Sequence, residues 1–465
     1  MEKVSRRMNR LTRAGLAIGC LILLWLSGCD GAPNEAPPKP PVVLIVIDTV
    51  RDDHCGFDGY ARQTTPFLAK FARQSVRFTA AHSSASWTLP SVATLFTGVS
   101  PTRHGMELAS TEQDQQLLSQ VLNDKFLTLA ESLKERGYNT YGINANYHLQ
   151  RKIGIAQGFD YYKIHRYSTR KKVDVTVEKT LEIIRAADSE SQPYFLYVHY
   201  FDPHHPYKAQ EPYFGQWHVP GKKDRDDQEV ARRFDEKYYL THRAELADIV
   251  DRYDSEIAGC DESIGRWLPQ VPRFDEALVI VTADHGEAFT DHDNLIHGGD
   301  LYEEVLHVPL LIRLPGGRSG GTTSDALVGL IDLYPTIAAL TGATAPSYLE
   351  GLDLRPAQPG LNPALAGRRL FAHTRHDPSS MWSALLNGKQ KLLYRQNRET
   401  WMLFDLAADP AEKNDRLATL PVAETEAARR DLRRQLLTLP LYRPGSIGQD
   451  LSEGLKKQMK SLGYL

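Results

Sequence analysis

The chain has 465 residues, enough for one large domain with a smaller one beside it. With 42% hydrophobic and 24% charged residues it has the composition of an ordinary folded body. A net charge of -3 leaves no basic surplus to neutralise a phosphate backbone, which argues against nucleic acid as a partner.

At the N-terminus, Lys3, Arg6, Arg7, Arg10 and Arg13 precede an apolar run over 14–26 that ends in Leu26-Ser27-Gly28-Cys29. The run is short for a membrane span of about 20 residues, and small residues before Cys29 suit cleavage there. This resembles a bacterial lipoprotein signal. The resemblance implies that 1–28 is removed, that Cys29 is the lipidated first residue, and that the body is exported and tethered to a membrane on the periplasmic or cell-surface side. Residues 29–41, rich in proline, read as an extended tether. Only Cys55 and Cys260 then remain in the body; whether they pair is left open by the sequence.

Folded structure is expected from Val42 to Asp48, an apolar run without alternation, as in a parallel strand covered on both faces. It delivers Asp48 to a strand end, where open α/β sheets place their ligands. A polar loop with Asp52, Asp53, His54 and Asp58 follows, then a short helix with Thr65 at its N-cap and Pro66 at its first position. In Thr88-Leu89-Pro90-Ser91-Val92-Ala93-Thr94-Leu95-Phe96-Thr97-Gly98, Pro90 suits a first helical turn and Gly98 a left-handed stop. Thr88 therefore sits near the N-cap, among unpaired N–H groups that favour an alkoxide or a bound oxyanion. Thr128 and Glu131 form a capping box for a helix ending at Gly137.

Further along, a strand from Tyr138 leads to Asn144, Asn146 and His148, and a helix is expected over 174–187. A buried strand over 193–200 leads to Phe201-Asp202-Pro203-His204-His205-Pro206-Tyr207, and 208–242 reads as an irregular excursion. A long amphipathic helix over 243–268 precedes the strand Leu278-Val279-Ile280-Val281-Thr282-Ala283, which delivers Asp284, His285, Gly286 and Glu287. Strand and helix alternate throughout, which predicts an α/β fold: a large, mostly parallel sheet with helices on both faces. Beyond residue 368 short strands over 383–386, 391–394 and 401–405 and a charged helix over 424–437 predict a small antiparallel subdomain. The domain expectation is thus 42–367 for the catalytic body and 368–465 for an α+β subdomain.

Asp48, Thr88, Asp284 and His285 end four separate elements with groups suited to one divalent metal ion: Mn, Zn, Mg or, less readily given the imidazole, Ca. A cation there would lower the Thr88 hydroxyl pKa, making a nucleophile at neutral pH.

The run from Thr88 to Gly98 resembles the sulfatase signature Cys/Ser-x-Pro-Ser-Arg-x-x-x-x-Thr-Gly. Ile47-Asp48, Asp284-His285-Gly286-Glu287, His297-Gly298 with Leu301-Tyr302-Glu303-Glu304, and Phe404-Asp405-Leu406-Ala407-Ala408-Asp409-Pro410 are similar to further segments of that family, in the same order. The resemblance implies an alkaline phosphatase-like fold and ester hydrolysis or transfer. Two departures stand out. Sulfatases oxidise the Cys or Ser to formylglycine, whereas oxidising Thr88 would give a ketone; and Val92, Asn146 and Gly299 stand where the family carries Arg or Lys. The remaining set looks more like the phospholipid-headgroup transferases and phosphonate or phosphodiester hydrolases of the superfamily, in which an unmodified Thr forms a covalent phospho-intermediate.

On that resemblance Thr88 is the expected nucleophile, His204 and His148 are expected proton donors, and Arg51, Asn146 and His297 are expected on the substrate side. Arg51 is a replacement for a lost cation and His297 an alternative ligand for a second metal. The expected substrate is a small-molecule, lipid-headgroup or glycan ester. Direct attack on a sulfuric ester, and a silent anion-binding relative, are the alternatives.

Overall fold

Val42–Ile47 forms β1, buried along its whole length at the centre of an eight-stranded sheet. In this computed structural model the described residues are 39–106, 108–110, 117–119, 121–165, 170–187, 192–218, 236–355, 362–375, 381–419 and 421–438. Cys29 and the tether up to residue 38 lie outside them. The other strands of the main sheet are β2 (Val76–Phe78), β3 (Asn139–Asn144), β4 (Tyr161–Ile164), β5 (Tyr194–Tyr200), β6 (Leu278–Ala283), β7 (Leu310–Arg313) and β8 (Thr322–Ser324). Their order across the sheet is β8-β2-β7-β6-β1-β5-β3-β4. β1 lies between parallel neighbours, with Val42 opposite Phe195 and Leu278, and only β7 runs against the rest. The sheet is therefore mostly parallel, as the continuous apolar runs predict.

Seven helices matter here: α1 (Pro66–Ala72), α2 (Thr88–Thr97), α3 (Leu129–Glu135), α4 (Arg170–Ala187), α5 (Leu246–Trp267), α6 (Leu333–Thr341) and α7 (Val422–Thr438). Successive side chains of a strand point to opposite faces, and β5 shows what each face meets. The Tyr197 ring packs 4.9 Å from Phe96 of α2, whereas the Tyr200 hydroxyl bonds Asp174 of α4 and Trp267 of α5, both at 2.7 Å. The groups α2, α3, α6 and α1, α4, α5 thus cover the two sides.

Local signals fix some helix ends and distant residues fix others. The Thr128–Glu131 capping box is present as expected. Thr65 makes no capping bond; instead the carboxylate of Asp261 on α5 accepts from Phe67 N at 2.7 Å and Leu68 N at 2.8 Å, so a residue remote in sequence caps α1. Burial raises the Asp261 pKa to about 7. The helix expected at 174 begins at Arg170, and 243–245 is a 3-10 turn leading into α5. Within 208–242, Tyr213–Trp217 and Glu236–Thr241 are short helices.

The antiparallel sheet near the C-terminus has four strands: β9 (Arg369–Arg375), β10 (Met381–Asn387), β11 (Gln390–Arg395) and β12 (Thr400–Asp405). Its period-two pattern separates its faces. Leu370, Ala372, Trp382, Ala384, Leu386, Leu393 and Phe404 pack against Leu301, Val305 and Leu306, while Leu385, Leu392 and Leu403 meet Leu432 of α7. β9 is the strand that sequence reading missed, because charged Arg369 and Arg375 bracket a weak alternation. Cys55 and Cys260 are both buried free thiols. Among the described residues no helix is long and apolar enough to cross a membrane.

Candidate active site

Four chain segments converge at the carboxyl edge of the parallel strands. Asp48 follows β1, Asp284 and His285 follow β6, Asn146 lies two residues past β3, and Thr88 is the first residue of α2. Trp87, with extended backbone, occupies the N-cap position expected for Thr88, and Gly98 ends the helix at φ 65°. Ser91 in the first turn of α2 donates to Asp284 O at 2.6 Å and receives Ser83 Oγ at 3.0 Å. The Ser91 hydroxyl thereby ties the start of the helix to the backbone at the end of β6, which sets Thr88 against Asp284.

Asp48, Asp284 and His285 are fully buried, and one ligand atom of each lies within 4.8 Å of the others. His285 Nε2 is 3.5 Å from Asp48 Oδ1 and 3.6 Å from Asp284 Oδ2. Thr88 Oγ1 is 3.4 Å from His285 Nε2 and 3.5 Å from Asp48 Oδ1, so the hydroxyl belongs to the same cluster. His285 Nδ1 lies 2.8 Å from Gly286 O; its proton is therefore committed outward, leaving the Nε2 lone pair facing the carboxylates. Asp284 Oδ1 accepts from His285 N and Thr49 N, while Oδ2 has no hydrogen-bond partner among the described residues. Burial and the nearby charge of Asp284 push the Asp48 carboxyl well up. Asp284, despite burial, is held below its ordinary value by His285 and His199. Two buried carboxylates, one with an orphaned oxygen, beside an imidazole lone pair form a donor set that a divalent cation fits.

Gly286 is fixed by close approach rather than by a turn. A Cβ there would lie 2.1 Å from Glu304 O, because Gly286 N and Glu287 N both bond the backbone of 304–305. Gly286→Ala is expected to displace the carbonyl that orients His285 and to weaken Mn²⁺ binding about tenfold or more. Calorimetric titration of metal-stripped protein, with circular dichroism to verify the fold, checks this; wild-type affinity contradicts it.

Of the residues expected on the substrate side, Asn146 donates from Nδ2 to Asp48 Oδ2 at 2.7 Å and to Thr88 Oγ1 at 3.1 Å, while its Oδ1 accepts from His148 N at 2.9 Å. Both ends of the amide are thus engaged, and its donor faces the Thr88 hydroxyl rather than open space. His148 meets the buried Trp87 edge-on at 6.1 Å. His204 stacks on Phe201 at 4.4 Å, orients Nδ1 on His205 O at 2.7 Å, and meets the His297 ring at 4.8 Å. Burial and the neighbouring His205 depress the His204 pKa well below its ordinary value. His297 in turn lies 4.4 Å from His285, ring to ring, with Nδ1 2.8 Å from Glu287 Oε1.

Arg51 departs from expectation. Its guanidinium bonds Asp53 at 2.8 Å, Asp291 at 3.0 Å and Glu287 O at 3.2 Å. Two carboxylates already balance its charge, so it does not stand as a spare cation for the site. Sequence reading also passed over His199 and Glu287. His199 is fully buried, with its ring 3.5 Å from Asp284 Oδ2, in a strand whose uniform burial hides any functional alternation. Glu287, which accepts from Tyr207 OH at 2.8 Å and faces His297, was visible as the end of the Asp284-His285-Gly286-Glu287 segment.

Comparison with known proteins gives a consistent result. The family model described as Sulfatase matches residues 40–343, and one described as N-sulphoglucosamine sulphohydrolase, C-terminal, matches 299–439. An ulvan-active sulfatase of Formosa agariphila is 26% identical over 419 residues, covering 83% of this chain and 78% of that protein. An arylsulfatase of Clostridium perfringens is 24% identical over 462 residues, covering 86% of this chain and 94% of that protein. The crystal structure of a phosphonate monoester hydrolase of Agrobacterium radiobacter shares the fold, with a TM-score of 0.66 at 21% identity over 86% of this chain and 95% of that one.

Proposed function

The chain belongs to the sulfatase family and is a hydrolase of that family, and from this premise we propose that it cleaves or transfers phosphodiester or phosphomonoester groups through a covalent intermediate on Thr88. The observation that carries this reading is the position of Thr88 Oγ1, within 3.5 Å of both Asp48 and His285 and hydrogen-bonded by Asn146. Asp48, Asp284 and His285, with Thr88 beside them, would hold one divalent cation, whose charge would favour the Thr88 alkoxide and draw ester oxygens to it.

Asn146 donates to Oγ1, which stabilises negative charge there. Oγ1 forms a bond to phosphorus as the bond to the leaving oxygen breaks. That oxygen takes a proton from His204, whose depressed pKa an approaching anionic ester would raise, or from His148. Water or an alcohol then attacks phosphorus as the Oγ1–phosphorus bond breaks, its proton passing to the same histidine, and Oγ1 regains from solvent the proton it lost on forming the alkoxide. Formylglycine chemistry is not open to Thr88, because its oxidation gives a ketone. The names of the sulfatase relatives favour a second reading, hydrolysis of a sulfuric ester at the same site.

Turnover of bis(p-nitrophenyl) phosphate and p-nitrophenyl sulfate by one preparation separates the two. The phosphodiester is expected to react at least about tenfold faster, some 1.4 kcal/mol in transition-state free energy; the reverse order overturns the phosphoryl reading and supports the second.

The remaining assignments complete the proposal. Cys29 carries the lipid, after Leu26-Ser27-Gly28, and anchors the exported enzyme to a membrane. Residues 42–367 form the catalytic body and 368–465 the subdomain beside it. Substrates are small-molecule, lipid-headgroup or glycan esters.

A further inference from the structure

Thr49, immediately after Asp48, has φ 59° and is fully buried. Left-handed backbone is costly for a β-branched residue, so this peptide adopts it only where its surroundings compel it. The conformation has a visible consequence. Thr49 is covalently joined to Asp48, and its N–H donates to Asp284 Oδ1 at 3.3 Å. One strained peptide thus links the two carboxylates of the cluster.

A single phenol on α5 grips this peptide. Tyr253 OH donates to Thr49 O at 2.7 Å and accepts from Arg51 N at 2.9 Å. The hydroxyl spans the carbonyl and the amide two residues apart, bracing the turn that follows β1. Its ring is held from three sides, by Phe289 at 4.9 Å, His54 at 5.2 Å and Tyr207 at 6.0 Å, and is fully buried. The next residue, Asp254, grips the other end of the same loop through His54, Tyr60 and Arg62, each at 2.7 Å. α5 therefore presents a rigid hydroxyl to the loop, and nothing in its position brings that hydroxyl to a substrate.

We infer that Tyr253 is a positioning residue for the Asp48–Asp284 pair: its hydroxyl holds Thr49 in the left-handed turn that sets the two carboxylates at cation-binding distance. This rests on reading Asp48 and Asp284 as metal ligands. Tyr253→Phe keeps the ring and removes both hydrogen bonds. It is expected to weaken Mn²⁺ binding to the metal-stripped protein about tenfold or more, the range for loss of a group that orients a ligand, and to lower kcat with KM little changed. In a Thr49→Gly background the left-handed turn carries no side-chain penalty, so the same change should cost less than about threefold.

Calorimetric titration with Mn²⁺ on the wild type, the two single variants and the double variant makes the test. Wild-type affinity in Tyr253→Phe, or an equal loss in both backgrounds, overturns the inference. If Tyr253→Phe alone fails to fold, the double variant decides: near wild-type Mn²⁺ binding supports the clamp, and failure to recover binding overturns it. A wild-type protein that binds no Mn²⁺ would instead remove the metal reading beneath it, an outcome distinct from the others.

Discussion

Thr88→Ala is expected to lower kcat/KM by about 10⁴-fold or more, roughly 5 kcal/mol of transition-state stabilisation. Nothing else in the cluster can take over the covalent role. Asp48, Asp284 and His285 carry the donor atoms, and Asn146 has both ends of its amide engaged. The variant should retain its fold, because Thr88 contributes no capping bond to α2 and the helix start is tied to β6 through Ser91 instead. Thr88→Ser keeps the hydroxyl in place and should retain activity within about tenfold. Steady-state kinetics of both variants check the pair; an active Thr88→Ala protein would exclude nucleophilic attack by this residue.

Asp284→Asn is the second large effect, and its signature is the loss of stabilisation by metal. The amide oxygen can still accept from His285 N and Thr49 N, so the local backbone keeps its bonds. The charge is lost, however, and Mn²⁺ affinity should fall by more than about 100-fold, with kcat/KM down about 10³-fold. In metal-free protein the same change relieves the repulsion that helps push the Asp48 carboxyl up. It also removes the charge that His285 and His199 favour, so the two electrostatic effects on the metal-free fold oppose each other. Saturating Mn²⁺ at about 100 times the wild-type Kd should stabilise the wild type by about 2.7 kcal/mol, raising its Tm, and the variant by less than about 0.4 kcal/mol. Thermal unfolding with and without Mn²⁺ measures this directly, and an equal upshift in both proteins would contradict the assignment of Asp284.

Much of the frame was legible because its signals are local. β1 is an uninterrupted apolar run, Thr128 and Glu131 are three residues apart, and Gly98 ends α2 where a left-handed residue is needed. Asp48, Asp284 and His285 could be grouped because each ends a buried strand, and α/β sheets gather such ends at one edge. The geometry brings these three into contact, with Thr88 and Asn146.

The contacts that hold the site in shape were not legible, because their partners are far apart in sequence. Tyr253 reaches Thr49 across 204 residues, Asp261 caps α1 across 194, and Asp291 engages Arg51 across 240. The last of these is why Arg51 read as a spare cation and is not one. Nor does any residue type announce the positive φ of Thr49, since a threonine there runs against the local preference that sequence reading relies on.

The most direct test of the central claim is the mass of the tryptic peptide carrying Thr88 after rapid acid quench of turnover with bis(p-nitrophenyl) phosphate. A phosphoryl adduct on Thr88 that forms within the first turnover and disappears as substrate is exhausted is the predicted result. Steady turnover with Thr88 unmodified at every time point, or an adduct on another residue, would contradict it.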